Sequence, residues 1–231
     1  MKTMLVFLIL PSILMAASFT DDFDGYSPGE DLGDSIYWLR LDTGGNLVAA
    51  DDGGNGIVET VWGSRKYLAY ACLGGLVCSD GVIRSDIKFN GAGAIVGLLA
   101  RMNPVTGDCY IGGIYRLYGS IGATVIAYVN ATGDFTILTN DFFYPLNEDT
   151  WYDVAFEVTG SSPAILKVSV NGTVNSNIQD NTYDLAIGAA GLGGNFETAA
   201  PMFYLDNFCI TDYNQATANT TFGRIKSIFS E

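Results

Sequence analysis

Short apolar stretches bounded by turn signals follow one another through the body of this chain, at 46–50, 56–62, 67–72, 81–89, 94–101, 108–118, 123–129, 136–139, 151–158 and 164–170. Gly- and Asn-rich breaks separate them, among them Asp52-Gly-Gly-Asn-Gly56, Asn90-Gly91, Pro104-Val-Thr-Gly-Asp108 and Asn171-Gly172. Such residues reverse an extended chain because they tolerate the backbone angles that tight turns require. Within the segments the side chains alternate. Val82, Arg84, Asp86 and Lys88 point one way and Ile83, Ser85, Ile87 and Phe89 the other; Trp151, Asp153, Ala155 and Glu157 oppose Tyr152, Val154, Phe156 and Val158. Period two with one polar face is the mark of a half-buried strand. No part of the body has the periodicity of a helix, so the fold class is all-β, a two-sheet antiparallel β-sandwich or jelly roll.

The two ends of the body match each other. Phe19-Thr-Asp-Asp-Phe-Asp-Gly-Tyr26 and Met202-Phe-Tyr-Leu-Asp-Asn-Phe-Cys-Ile-Thr-Asp212 both read as strands, and a sandwich that lays its first strand beside its last is built in this way. Residues 1–17 read as an export signal: Lys2 gives a positive start, 4–15 is almost wholly apolar, and Ala16-Ala17-Ser18 offers small residues for cleavage. The apolar run is short for a membrane span, which needs about 20 residues. The expected organisation is therefore a signal peptide at 1–17, one sandwich at 18–212 and a tail at 213–231, with a secreted product. In the tail, Phe222, Ile225, Ile228 and Phe229 fall on one side of a short amphipathic turn.

Charge and missing residue types narrow the function. The net charge is −14 with 11 basic residues and no basic run, which repels a phosphate backbone and excludes nucleic acid as a partner. The sequence contains no histidine. Ser-His-Asp and Cys-His catalysis and imidazole zinc sites are thereby excluded, and any metal is held by oxygen, which favours calcium. In an exported chain the four cysteines suggest disulfides. Cys72 and Cys78 flank a loop that reads as a hairpin and are expected to pair; Cys109 and Cys209 either pair across the sheets or remain buried thiols.

Five stretches, in this order, carry a family likeness: Asp21-Asp-Phe-Asp-Gly-Tyr26, Gly97-Leu-Leu-Ala-Arg-Met102, Trp151-Tyr-Asp-Val-Ala-Phe156, Leu166-Lys-Val-Ser-Val-Asn-Gly172, and Gly191-Leu-Gly-Gly194 with Phe203-Tyr-Leu-Asp-Asn-Phe208. In them the chain resembles the concanavalin A-like lectin and glucanase superfamily, especially its laminin-G-like exported members. The resemblance implies one concave, ligand-binding sheet and a calcium ion between the first and last strands, with Asp22 and Asp206 as ligands and Asp24 beside them. Glycan binding needs flat rings and a few directed polar groups. Tyr110, Ile114, Arg116 and Tyr118 share one strand face with Gly112 leaving space, and Arg101 lies on the preceding strand; Arg101, Tyr110, Arg116 and Tyr118 are the expected contacts on the concave face. Trp38 and Trp151 are expected in the core. The Glu-x-Asp-x-Glu strand of the related glycoside hydrolases is missing, which leaves no carboxylate pair for acid and nucleophile. The leading expectation is a secreted, non-catalytic carbohydrate-binding module whose partner is a glycan. The alternative is a structural or assembly protein of a cell surface or virion, with copies of itself or a scaffold as partner.

Overall fold

The computed structural model describes residues 18–41, 45–62, 67–72, 77–117, 120–143, 145–196 and 202–213. The signal peptide at 1–17 and the tail beyond Tyr213 lie outside the described residues, as does Tyr118. Two antiparallel sheets stack face to face. The first runs, in spatial order, β14 (Thr173–Asp180), β13 (Ala164–Val170), β12 (Trp151–Thr159), β7 (Gly81–Asn90), β16 (Met202–Asp212), β4 (Gly56–Trp62) and β3 (Gly45–Asp51), with β1 (Ser18–Asp21) also on β16. The second runs β11 (Phe135–Phe143), β10 (Gly122–Val129), β9 (Cys109–Arg116), β8 (Ala94–Met102), β15 (Gly188–Phe196), β5 (Tyr67–Cys72) and β2 (Trp38–Arg40), with β6 (Val77–Cys78) also on β15.

The ends of the body meet as their sequences imply. Phe19 faces Ile210 and Asp21 faces Phe208 across β1 and β16. Alternation on β7 and β12 buries Ile83, Ile87, Phe89, Tyr152, Val154, Phe156 and Val158 between the sheets, where they meet Val96, Leu98, Tyr110, Ile114, Ile126 and Leu192 of the second sheet. Trp38 joins this core, but Trp151 does not. It stands on the outer face of the first sheet, where the Lys88 ammonium lies 4.6 Å from its ring centre and 4.8 Å from that of Tyr204.

A second apolar cluster lies on the outer face of the second sheet. Ala69, Ala71, Leu99, Met102, Cys109, Ile111, Val125, Ala127 and Val129 are all buried there, rimmed by Leu39, Leu41, Tyr67, Ile95, Tyr115 and Phe135. The sheet coils so strongly that two of its distant strands touch. Tyr67 of β5 and Phe135 of β11 are separated by four intervening strands, yet their rings lie edge to face with centres 5.5 Å apart. The sheet is thus wrapped around its own apolar face.

β5 and β6 are not paired as the hairpin that Cys72 and Cys78 suggest. β5 and β6 both pair antiparallel with β15, so they run in the same direction as two parts of one interrupted edge. Cys72 stands one step beyond the Gly191–Ala71 pair and Cys78 faces Gly188. They lie two residues apart along β15, about 7 Å, at the limit of disulfide reach. All four cysteines are thiols in the structure. Cys109 lies in the wrapped face of the second sheet, whereas Cys209 is on the first sheet, and burial pushes the Cys109 thiol up to about 12.

Candidate functional site

Three of the four residues expected to grip a glycan, Arg101, Tyr110 and Arg116, are inside the protein, and Tyr118 lies outside the described residues. Tyr110, Gly112, Ile114 and Arg116 do share one face of β9, but it is the face turned to the core. Tyr110 is fully buried and donates its hydroxyl to Asp180 at 2.6 Å; burial and that carboxylate push its pKa up. The space beside Gly112 is filled by Phe156, whose ring a Cβ at this position would enter. Arg116, 4% exposed, donates to the carbonyls of Leu146 and Gly91 and to Glu148 Oε1.

Arg101 is 1% exposed. It sits where β8 shifts register against β15, with φ of 52°, and this bulge swings its side chain out of strand alternation. Its guanidinium donates to the carbonyls of Ser79, Leu185 and Gly160 and to Asp80 Oδ1, and burial holds its pKa below the usual value. The two arginines clamp turns at the rim of the sandwich. Neither guanidinium is turned to solvent, because backbone carbonyls already occupy the donors that a sugar would need.

The metal-ligand candidates gather at a second bulge. Between Asp206 and Cys209 the pairing of β16 with β7 slips, with Asn207 at φ of 51°. On the other side of β16, β4 pairs at 204–205 and β1 pairs at 208–211, so the bulge sits where one neighbour gives way to the next. Asp206 accepts from Asn55 Nδ2 at 2.8 Å and from the Asn207 amide at 2.7 Å. Burial raises its pKa, and the charges of Asp86 and Asp24 add to the rise. Asp24 accepts from the Gly56 amide and Asp22 from the Asp24 amide. The concentration of negative charge suits a hard cation, but the carboxylate oxygens are turned to N–H donors. Among the described residues no three acidic side chains converge to hold an ion.

Beside this bulge the surface opens into a cleft of about 490 Å³, formed by β1 and the loop that carries the chain to β2. The rings of Phe19, Tyr26 and Tyr37 line it together with Asp21, Asp22, Glu30, Ser35 and Ile36. Asp21 is its organiser. One oxygen accepts from the Phe23 amide, and the other accepts from both the Tyr26 hydroxyl and Trp38 Nε1, each at 2.8 Å. This fixes the Tyr26 ring and raises its pKa, with burial the larger cause. Tyr37 is 42% exposed and packs loosely on Phe19, their ring centres 6.3 Å apart. A second cleft of about 380 Å³ on the other side of β1 shares Thr20, Asp21 and Asp22 and adds Asn207, Phe208 and Cys209. The aromatic and acidic run from Phe19 to Tyr26 was the signal for this site; in the sequence it reads as a strand that pairs with the last one.

No known protein family and no curated protein matches the sequence. Solved structures do match in shape. The carbohydrate binding module CBM66 from Bacillus subtilis aligns over 76% of this chain and 91% of its own, with TM-score 0.52 and 14% identity. LamA from Z. galactanivorans, in complex with laminaritriose and laminaritetraose, aligns over 85% and 98%, with TM-score 0.56 and 10% identity. A Bacillus subtilis protein of unknown function with a galectin-like fold aligns over 86% and 98%, with TM-score 0.55 and 13% identity. The chain has the concanavalin A-like fold. Within that concanavalin A-like frame, the wrapped outer face of the second sheet is a packed apolar cluster, and the open clefts flank β1 instead.

Proposed function

We propose that this protein is a secreted, non-catalytic carbohydrate-binding module that holds its glycan in the clefts flanking β1. The observation that carries the reading is the lining of the larger cleft. Three aromatic rings stand among carboxylates and a hydroxyl in a space of about 490 Å³, a size suited to a small ligand. Sugars present apolar C–H faces to rings and hydroxyls to carboxylates, and this wall offers both. Fold kinship with a carbohydrate-binding module and a laminarin-oligosaccharide complex supports the same class of partner. The non-catalytic part rests on the carboxylates. Both oxygens of Asp21 are engaged by fixed donors, which suits a positioning group and not an acid that must shed and regain a proton.

Calcium enters as an auxiliary ion near Asp22 and Asp206, supported by the negative charge that Asp24 and Asp86 bring close to Asp206. Isothermal titration against laminarin and mixed-linkage glucan oligosaccharides tests the main reading. Binding should appear, Tyr37→Ala should weaken it at least tenfold, and no reducing ends should accumulate. Tyr37→Ala binding as tightly as the parent protein would remove the cleft, and release of reducing ends would remove the non-catalytic assignment.

A further inference from the structure

The clefts on either side of β1 share a chemistry that binding a neutral sugar does not call on. Asp21, Asp22 and Glu30 line the larger cleft, and no lysine or arginine does. The smaller cleft repeats the pattern, with Asp21 and Asp22 in its wall and again no basic side chain. Elsewhere on the surface carboxylates are answered by cations, as Asp31 is by Arg40, Asp52 by Lys88 and Glu157 by Lys167. Among the described residues none of the three cleft carboxylates has such a partner. Asp21 is met by neutral donors only, the Phe23 amide, the Tyr26 hydroxyl and the Trp38 indole. Asp22 accepts a long bond of 3.3 Å from the Asp24 amide through Oδ1, and Glu30 accepts from the Ser27 amide through Oε2. The second oxygen of each accepts from no donor among the described residues.

The rings turn this charge into a preference for one kind of ligand. Phe19, Tyr26 and Tyr37 stand in the same wall, and the face of an aromatic ring is the negative pole of its quadrupole, which attracts a cation lying over it. The Tyr26 hydroxyl donates to Asp21 at 2.8 Å, so the carboxylate pushes electron density into that ring and strengthens the pole. A sugar hydroxyl both donates and accepts, whereas an ammonium donates three hydrogen bonds and accepts none. A wall of acceptors and ring faces without a basic donor matches the ammonium. Exposed acids alone are ordinary in a chain of net charge −14; these are set apart by their place around an aromatic cavity of about 490 Å³. We propose that the ligand of this cleft is an amino sugar, a glycan unit in which a protonated primary amine replaces one hydroxyl. The inference rests on the glycan reading of the cleft and names the sugar class. The C–H face of the unit lies on Tyr37, which is 42% exposed, and its ammonium turns to Asp22 and Glu30.

Isothermal titration in chelator, which removes any competing calcium, compares three β-1,4-linked disaccharides: that of glucosamine, its N-acetylated form and cellobiose. The amine should bind at least tenfold more tightly than the other two. Asp22→Asn and Glu30→Gln together should weaken the amine at least tenfold. Asp184→Asn, which removes an exposed charge that lines neither cleft, should leave it unchanged. If the double variant fails to fold, the parent protein decides: sodium chloride should weaken the amine and leave cellobiose unmoved. Laminarin oligosaccharides bound through Tyr37 with no preference for the amine would overturn the inference and leave the glycan reading standing, whereas no binding of any sugar would remove both. An equal loss in Asp184→Asn would reduce the preference to the net charge of the chain. Choline bound as tightly as the amino disaccharide would overturn the sugar and leave a bare cation site.

Discussion

Arg101→Met removes a guanidinium and keeps an unbranched stem of similar length. Four acceptors then each lose one donor: the carbonyls of Ser79, Leu185 and Gly160 and the carboxylate of Asp80. They belong to three separate turns, so one side chain ties together the end of the sandwich. Hydrogen bonds to a charged group contribute about 1.5–3 kcal/mol each, but summing four of them overcounts. Asp80 remains 29% exposed and can take up water once released. Breaking a buried ion pair by removing one partner costs about 3–5 kcal/mol, and the lower end applies where the stranded partner is rehydrated. At about 2–4 °C per kcal/mol for a domain of this size, ~3 kcal/mol becomes a fall of about 6–12 °C in Tm. Thermal melts by circular dichroism read it directly, and a urea titration with unchanged slope shows that both states have kept their character. Arg101→Lys should recover little, since an ammonium cannot span the fork of acceptors. A fall of less than about 2 °C, set against the slope just used, would refute the clamp. Lost glycan affinity at unchanged Tm would instead restore Arg101 as a ligand contact.

Gly112→Ala places a methyl within the Phe156 ring and should destabilise by about 1–3 kcal/mol, with Phe156→Leu in the same chain recovering part of the loss; simple additivity of the two in urea unfolding would contradict the packing. Asp206 has a folded pKa above its ordinary value, so its contribution to stability is present below that ordinary value and is lost as pH rises through the folded one. In chelator the parent protein should therefore lose more stability than Asp206→Asn between pH 4 and pH 7, while calcium should raise the Tm of the parent protein and leave the variant unmoved. A parent melting curve indifferent to calcium and chelator would remove the ion.

Period two and the turn signals placed β3 to β5, β7 to β10, β12 and β13, but β2 and β14 gave no such signal and only part of β11 did. On β7 and β12 period two also told which face is buried, because the other face is charged. On β9 it could not. Ile111 and Cys109 on the outer side are as apolar as Ile114 and Tyr110 on the inner side, and only the coiling of the sheet, which brings Tyr67 onto Phe135, explains why both are buried. Tyr110, Gly112, Ile114 and Arg116 do share a face, as the alternation implies, and that face is the one turned to the core. The bulge at Arg101 was invisible because nothing in its sequence neighbourhood demands φ of 52°. The Gly-Gly pair between Cys72 and Cys78 signals a turn, but it does not tell whether the flanking strands pair with each other or, as β5 and β6 do, both pair with β15. The β1 cleft depends on a carboxylate, Asp21, gathering donors that are 2, 5 and 17 residues away, and no local pattern carries that convergence.

The strands that complete each sheet come last in the chain. β15 sits between β8 and β5, and β16 between β7 and β4, so each sheet is two separate halves until the segment at 188–212 arrives. A nascent chain of this protein can form hairpins such as β9–β10 and β12–β13 as they emerge, but neither sheet can be joined until β15 and β16 have been made. Pairings between strands so far apart in the sequence close large loops and form slowly. The two sheets are thus each joined by a strand from one stretch of the chain, so that the pairing of β15 in one and β16 in the other closes both layers.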